Sequence, residues 1–323
     1  MNFNAGRLAK RIGVAAQWTA HATEAKIPSR SFQFSIDLGP IRSSGNSWLV
    51  SAFIVPPLYT NEFYLQSYCG NVLFKTMEVS NSDSTAPLEH HRLAENVGIL
   101  KEQIAEACKK SGRTPDQVTL IAVTKTVGSP TCNDLASLGC LDLAENRPQV
   151  LWEKAPAVNP SVRWHFIGHL QRNKVARTLP LLHTVHSLDS MRLAEQLVKD
   201  SHAASLSNQA AHRLNVLLEL NITQDQSKTG MSPEQAQELI VRYASTPQWQ
   251  EHLNLCGLMG MSSLQGDDSQ THQEFETLRT LRDRWQGIYG VSLKELSMGM
   301  SDDFRIAIEE GSTMVRIGSL LYR

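Results

Sequence analysis

From residue 118 to residue 319 the sequence repeats one arrangement, a short apolar or β-branched run closed by polar or Gly-containing residues and followed by a polar stretch of helical character. Eight such runs occur: Val118 to Lys125, Leu141 to Arg147, Arg163 to Leu170, Thr184 to Asp189, Leu214 to Ile222, Leu255 to Met261, Leu293 to Met300 and Thr313 to Ser319. They recur roughly every 25 residues, enough for a strand, a helix and two short connections. Strands joined by helical crossovers lie parallel, and eight at this spacing close into a (β/α)8 barrel of the TIM type. An open doubly wound sheet is the rival on pattern alone, because short apolar runs do not distinguish the two. Ahead of the first run, Leu93, Val97, Leu100, Ile104 and Cys108 step by three or four residues. That stripe predicts an amphipathic helix, which Ser111-Gly112 can end.

Composition narrows the class. The chain has 31 Lys+Arg against 32 Asp+Glu in 323 residues, a net charge of −1, which argues against attachment to nucleic acid by bulk charge. The longest apolar candidate, Leu49 to Val55, stops at Pro56-Pro57, well short of the roughly 18 residues of a membrane span. Five widely spread cysteines without a C-x-x-C pair fit a reducing compartment and disfavour a cysteine zinc site. The charge is uneven, however. Residues 1–76 hold seven Lys/Arg and three acids, with no acid before Glu24 and no sustained periodicity. They read as a poorly structured N-terminal extension, for which three origins compete: a targeting segment, a start assigned upstream of a functional Met77, or an accessory domain. Residues 77–323 read as the barrel. A cytoplasmic location is expected, with a mitochondrial one as the alternative if the extension is a targeting segment.

In such barrels function collects at the C-terminal ends of the strands. Those ends read Lys125, Glu145-Asn146-Arg147, His169, Ser187, Asn221, Met261, Ser297, and Arg316 with Gly318-Ser319. Alternation aims Lys125 with Ile121 and Val123 toward the barrel mouth. Partial desolvation there would expose the neutral amine needed for carbonyl addition; a lysine snorkelling to water is the competing reading. The last two loops, Ser297-Met-Gly-Met-Ser301 and Arg316-Ile-Gly-Ser319, offer a hydroxyl, small residues and backbone N–H groups where these barrels commonly hold phosphate. Gly318 merely shaping a turn is the alternative. Ser301-Asp302-Asp303 reads as a helix start with Ser301 as N-cap.

Several motifs then agree in order: Thr124-Lys125-Thr126, Glu145-Asn146-Arg147, Trp164-His165-Phe166-Ile167-Gly168-His169-Leu170-Gln171-Arg172-Asn173-Lys174, His186-Ser187-Leu188-Asp189, Ser227-Lys228-Thr229-Gly230, Gly257-Leu258-Met259, Ser297 to Asp303 and Gly311 to Ser319. Across residues 89–323 the chain resembles the pyridoxal phosphate homeostasis proteins. One departure is Ala144, where that family usually has glycine. The resemblance implies an alanine-racemase-like barrel that binds pyridoxal 5′-phosphate (PLP). Lys125 would form the internal aldimine. Ser297 with the backbone of Gly318 and Ser319 would hold the phosphate, Arg316 would face the pyridine nitrogen, and Asn146 and His165 would line the cofactor's face. An arginine at that nitrogen leaves the ring unprotonated and a poor electron sink.

The implied role is intracellular PLP homeostasis without substantial turnover. A PLP-dependent amino-acid racemase of low activity is the alternative. Against it, alanine racemases complete their site with a further β-domain, whereas five residues follow Gly318 here, and Tyr322 is too near the eighth run to be assigned as a second base. The expected partners are PLP and PLP-dependent apoenzymes receiving it, with no nucleic acid and no membrane, and the expected state is a monomer. Lys228 is the rival Schiff-base lysine. His165 and His169, four apart on one strand face, invite a zinc reading but lack a third ligand at metal spacing. Arg172, Lys174 and Arg177 read as a basic surface face.

Overall fold

Each of the eight apolar runs forms a strand, and each strand pairs with the next in parallel. In this computed structural model the described residues are 34–43, 46–54, 67–69, 72–74, 86–206, 213–223, 225, 229–263 and 266–323. The strands are β1 (Thr119–Val123), β2 (Asp142–Glu145), β3 (Arg163–Phe166), β4 (Thr184–Leu188), β5 (Leu214–Glu219), β6 (Leu253–Met259), β7 (Glu295–Ser297) and β8 (Met314–Ile317). Pairing of β8 with β1 closes the sheet into an eight-stranded barrel. Closure excludes the open-sheet alternative and leaves the barrel without a free edge.

Around it run α1 (Ala86–Lys110), α2 (Ser129–Ser137), α3 (Pro148–Lys154), α4 (Val175–Thr178), α5 (Met191–Leu206), α6 (Pro233–Ser245), α7 (Pro247–His252), α8 (Asp268–Tyr289) and α9 (Phe304–Glu309). Pro130, Pro148, Pro233 and Pro247 stand in the first positions of α2, α3, α6 and α7, where proline's fixed φ suits the helix and its missing N–H costs nothing. Ser232 caps α6 and exchanges bonds with Gln235 in a capping box. The stripe predicted in α1 is buried throughout: Leu93, Val97, Leu100, Ile104 and Cys108 are all at most 5% exposed. Asn96 on α1 donates to the carbonyls of Leu321 and Arg323 and so ties the last residues down.

The main apolar core lies between sheet and helices. A separate small cluster, Ile121, Val123 and Ala144 with Ile167 and Met314, joins side chains of β1, β2, the end of β3 and β8. Two units divide at residue 84, Met1–Ser84 and Thr85–Arg323. In the first, Phe34–Ser43 pairs antiparallel with Asn46–Ile54, and Ser67–Cys69 with Val72–Phe74. No helix among the described residues is long and apolar enough to cross a membrane.

Candidate functional site

β1 ends at Val123, and Lys125 follows two positions later with its side chain exposed. The intervening Thr124 is fully buried and held on three sides. Its N–H donates to Ala144 O at 2.9 Å, its hydroxyl donates to Glu145 Oε1 at 2.7 Å, and its carbonyl accepts from Lys154 Nζ at 2.7 Å. Lys154 Nζ also lies 2.5 Å from Glu145 Oε1, an ion pair in which Glu145 is 0% and Lys154 9% exposed by side chain. The structure therefore reverses the expected desolvation: the chain leaves Lys125 exposed and buries Lys154, whose ammonium clamps the main chain just before Lys125. Glu145 Oε2 is buried without a partner among the described residues. The Tyr322 hydroxyl donates to Val123 O at 3.1 Å. Burial, and then Cys132 and Glu145 nearby, pushes its phenol well above the ordinary tyrosine range.

The β7 and β8 ends are joined directly. Arg316 Nη1 donates to Ser297 O at 2.6 Å and to Ser297 Oγ at 2.7 Å, and Nη2 donates to Gly260 O at 3.1 Å. Burial lowers this guanidinium to about 10, with Asp303 and Glu219 pulling back upward. The loop after β7 turns at Gly299, whose φ of +95° and whose distance of 2.5 Å from a would-be Cβ to Ala307 Cβ exclude other residues. The helix start predicted at Ser301 falls at Asp303 instead, and α9 begins at Phe304; the Asp303 carboxylate does not cap the helix but accepts from Met300 N at 2.6 Å and from Ser262 Oγ at 2.6 Å. Gly318 follows β8 and packs on Val123, with 3.4 Å to Val123 Cβ for an added methyl. Leu321 N donates to Gly318 O at 3.0 Å, while the N–H groups of Gly318 and Ser319 meet no acceptor among the described residues.

Asn146 follows β2, and its side-chain oxygen is buried without a partner among the described residues. Its backbone is fixed by Gly168, where an added Cβ would stand 2.1 Å from Asn146 O. Lys125, Asn146 and Gly318 thus gather at the C-terminal ends of three neighbouring strands. His165 lies deeper, 2% exposed, with Nε2 at 3.0 Å from Asp142 Oδ1 and Nδ1 at 2.8 Å from His186 Nε2. His186 Nδ1 in turn lies 2.7 Å from Ser297 Oγ. Since β4 and β7 are not neighbours, that last bond spans the lumen.

Other rim residues are placed differently. Ser187 is inside β4, fully buried, and donates to Gly168 O at 2.6 Å. His169 is exposed and pairs with Asp189 at 2.7 Å beside a cavity of about 650 Å³ that also carries Arg172 and Arg192; none of the expected cofactor residues lines it. Arg177 stacks on Trp152 at 3.9 Å, so the basic face is partly engaged. Lys228 lies outside the described residues. Sequence reasoning passed over Asp142, Lys154 and the inward role of His186. The available signal was phase: Asp142, His165 and His186 share strand positions pointing to the inner face, where a parallel barrel is ordinarily packed with branched apolar residues.

The chain matches the family described as alanine racemase, N-terminal domain, over residues 97–323. It is 34% identical over 229 residues to a pyridoxal phosphate homeostasis protein of Aquifex aeolicus, covering 71% of this chain and 96% of that one. The structure of PipY from Synechococcus elongatus, solved with PLP bound, superposes with a TM-score of 0.62 at 27% identity, over 72% of this chain and 100% of that chain. An alanine racemase of Clostridium difficile superposes with a TM-score of 0.56 at 15% identity, over 72% of this chain and 56% of that chain, a likeness of fold. The barrel, its strand-end motifs and these matches agree, and the chain belongs to the alanine racemase N-terminal domain family and, within it, to the pyridoxal phosphate homeostasis proteins.

Proposed function

We propose that this protein binds pyridoxal 5′-phosphate at the C-terminal mouth of the barrel and serves intracellular PLP homeostasis, holding the cofactor on Lys125 without substantial turnover. The observation that carries this reading is the gathering of Lys125 with the unengaged N–H groups of Gly318 and Ser319 at neighbouring strand ends, beside Arg316 fixed on Ser297. The unpartnered Asn146 oxygen adds an acceptor to that sector. An amine, free backbone donors and a cationic donor are what the aldehyde, phosphate and pyridine nitrogen of PLP require, so the residues fit the group. When bound, PLP supplies an aldehyde that condenses with an amine and a ring that accepts electron density.

The chain's own residues restrain the chemistry. Lys125 presents the amine, and the Thr124 clamp fixes the main chain that carries it. Ser297 with Gly318 and Ser319 binds the phosphate; Arg316 faces the pyridine nitrogen. Arg316 donates only and stays cationic at neutral pH, so it supplies no proton to that nitrogen. Tyr322 is occupied with Val123 O and its phenol is pushed up by burial, which removes this tyrosine from use as a base. His165 approaches the site through His186 and Ser297. Residues 77–323 form the functional unit, acting as a cytoplasmic monomer that passes PLP to dependent apoenzymes.

Borohydride reduction of the isolated protein followed by peptide mapping tests the reading: pyridoxal is expected on Lys125 and lost in Lys125→Ala. An adduct on Lys228 would overturn the assignment. Exchange of amino-acid α-protons at ordinary enzymatic rates, abolished by Lys125→Ala, would overturn the absence of turnover.

A further inference from the structure

Proton counting along the chain Asp142, His165, His186, Ser297 gives it a direction. Arg163 donates to both oxygens of Asp142, from Nε at 2.7 Å and Nη2 at 2.5 Å. Burial pushes the Asp142 carboxyl up, but the bonds from His165 and Arg163 outweigh it and hold it at about 2. A carboxylate only accepts, so His165 Nε2 carries a hydrogen. With both imidazoles neutral each has one N–H. His165 Nδ1 must then accept from His186 Nε2, and His186 Nδ1 must accept from the Ser297 hydroxyl. Arg316 Nη1 already donates to Ser297 Oγ. In this state Ser297 has one lone pair left and no proton for a ligand.

One added proton reverses the whole chain. Ser297 passes its hydrogen to His186 Nδ1, His186 passes its Nε2 hydrogen to His165 Nδ1, and Ser297 Oγ, fully buried in the free protein, takes a new proton from water entering with the ligand. The positive charge comes to rest on His165, 3.0 Å from the Asp142 carboxylate. Ser297 now accepts from His186 and Arg316 and directs its own O–H outward.

We propose that the His165–His186 pair sets the donor polarity of Ser297, so that a phosphate dianion, which only accepts, binds at Ser297 together with uptake of one proton by the pair. This rests on the reading that the cofactor's phosphate meets Ser297. The groups facing the pair are Asp142 and Arg163 at one end, Arg316 at the other with Glu219 and Asp303 acting on it, and His183, whose ring lies 5.7 Å from that of His165. His186 is held well below the usual histidine range by burial first, then by His165, Arg316 and His183, so a charge on His186 itself is disfavoured. His165 and His186 are positioning residues in this scheme, acting on the ligand through Ser297.

Nitrogen-15 histidine labelling of the full chain reports the tautomers directly, at about pH 8, where the phosphate is a dianion. The free protein is expected to show both His165 and His186 as Nε2–H tautomers. With PLP, His165 becomes doubly protonated and His186 changes to the Nδ1–H form. Pyridoxal, which offers the same aldehyde without phosphate, leaves both unchanged. Calorimetry in two buffers of different ionisation enthalpy should show PLP taking up about one proton more than pyridoxal, a difference lost in His186→Gln. Unchanged tautomers with PLP bound and trapped on Lys125 would overturn the proposal, and that result needs no variant to fold. If PLP is not trapped on Lys125, the cofactor reading fails separately. Inorganic phosphate is then the probe: the same tautomer change supports the switch, and its absence overturns it.

Discussion

Replacing Lys154 by methionine removes the ammonium from the clamp beneath Lys125 and leaves the surrounding shape nearly intact. The wild-type ammonium sits 2.5 Å from Glu145 Oε1 and 2.7 Å from Thr124 O. Without it, the Glu145 carboxylate is fully buried with a single remaining donor, the Thr124 hydroxyl, and its second oxygen already lacks a partner. Breaking a buried pair from one side typically costs about 3–5 kcal/mol, or two to three and a half powers of ten in the folded-to-unfolded ratio at ~1.4 kcal/mol per power. Replacing both members costs far less, because no charge is stranded. Lys154→Met/Glu145→Gln should therefore lose only about 1–2 kcal/mol, chiefly the bond to Thr124 O. Urea denaturation of the two single variants, the double variant and wild type, fitted with a common slope, gives the cycle. Borohydride trapping at Lys125 should fall in Lys154→Met and recover in the double variant, because the Thr124 main chain carries the lysine. A single variant within about 1 kcal/mol of wild type, or a double variant no more stable than the single, would refute the reasoning.

Other perturbations read other parts of the barrel. Because Asp142 is held at about 2 against an ordinary 3.8, its stabilisation is complete above about pH 4 and disappears as pH falls toward 2; it amounts to on the order of 2 kcal/mol. Arg163→Gln should shrink that term and move the acid-unfolding midpoint upward, which a circular dichroism titration checks. Gly168→Ala forces a methyl to within 2.1 Å of Asn146 O, so thermal melting should show a loss of about 1–3 kcal/mol, with weaker PLP binding in a spectral titration. Tyr322→Phe gives up the bond to Val123 O and should cost roughly 0.5–1.5 kcal/mol while leaving α-proton exchange at background; a variant that loses a measurable exchange rate would reinstate the racemase reading.

The strand ends show where sequence reading stops. Every predicted run became a strand, yet the runs overshot at the C-terminal side: Val118 to Lys125 became Thr119–Val123, and Leu141 to Arg147 became Asp142–Glu145. The surplus residues, Lys125 and Asn146 among them, lie past the last ladder partner. Lys125 stood out in the sequence as a cation closing an apolar run, but its exposure, which fits the snorkelling alternative, came only from the structure. Lys154 did not stand out, since it appears at the end of a short helix and acquires its burial only when α3 packs over the ends of β1 and β2.

The order and number of the barrel strands, and their parallel direction, follow from the sequence alone, because eight apolar runs of strand length alternate with helical stretches at a spacing of about 25 residues; that the sheet closes rather than stays open does not. The α1 stripe, Leu93 to Cys108, was likewise fixed by helical periodicity. What lines the lumen was decided by closure. His186 and Ser297 are 111 positions apart and touch because the sheet closes, β8 on β1, so that β4 and β7 face each other across the lumen. Local periodicity carries no information about partners at that separation; the register and curvature of the closed sheet do. The same closure turns an acid, two imidazoles, a hydroxyl and an arginine from five separate strands into one hydrogen-bonded line.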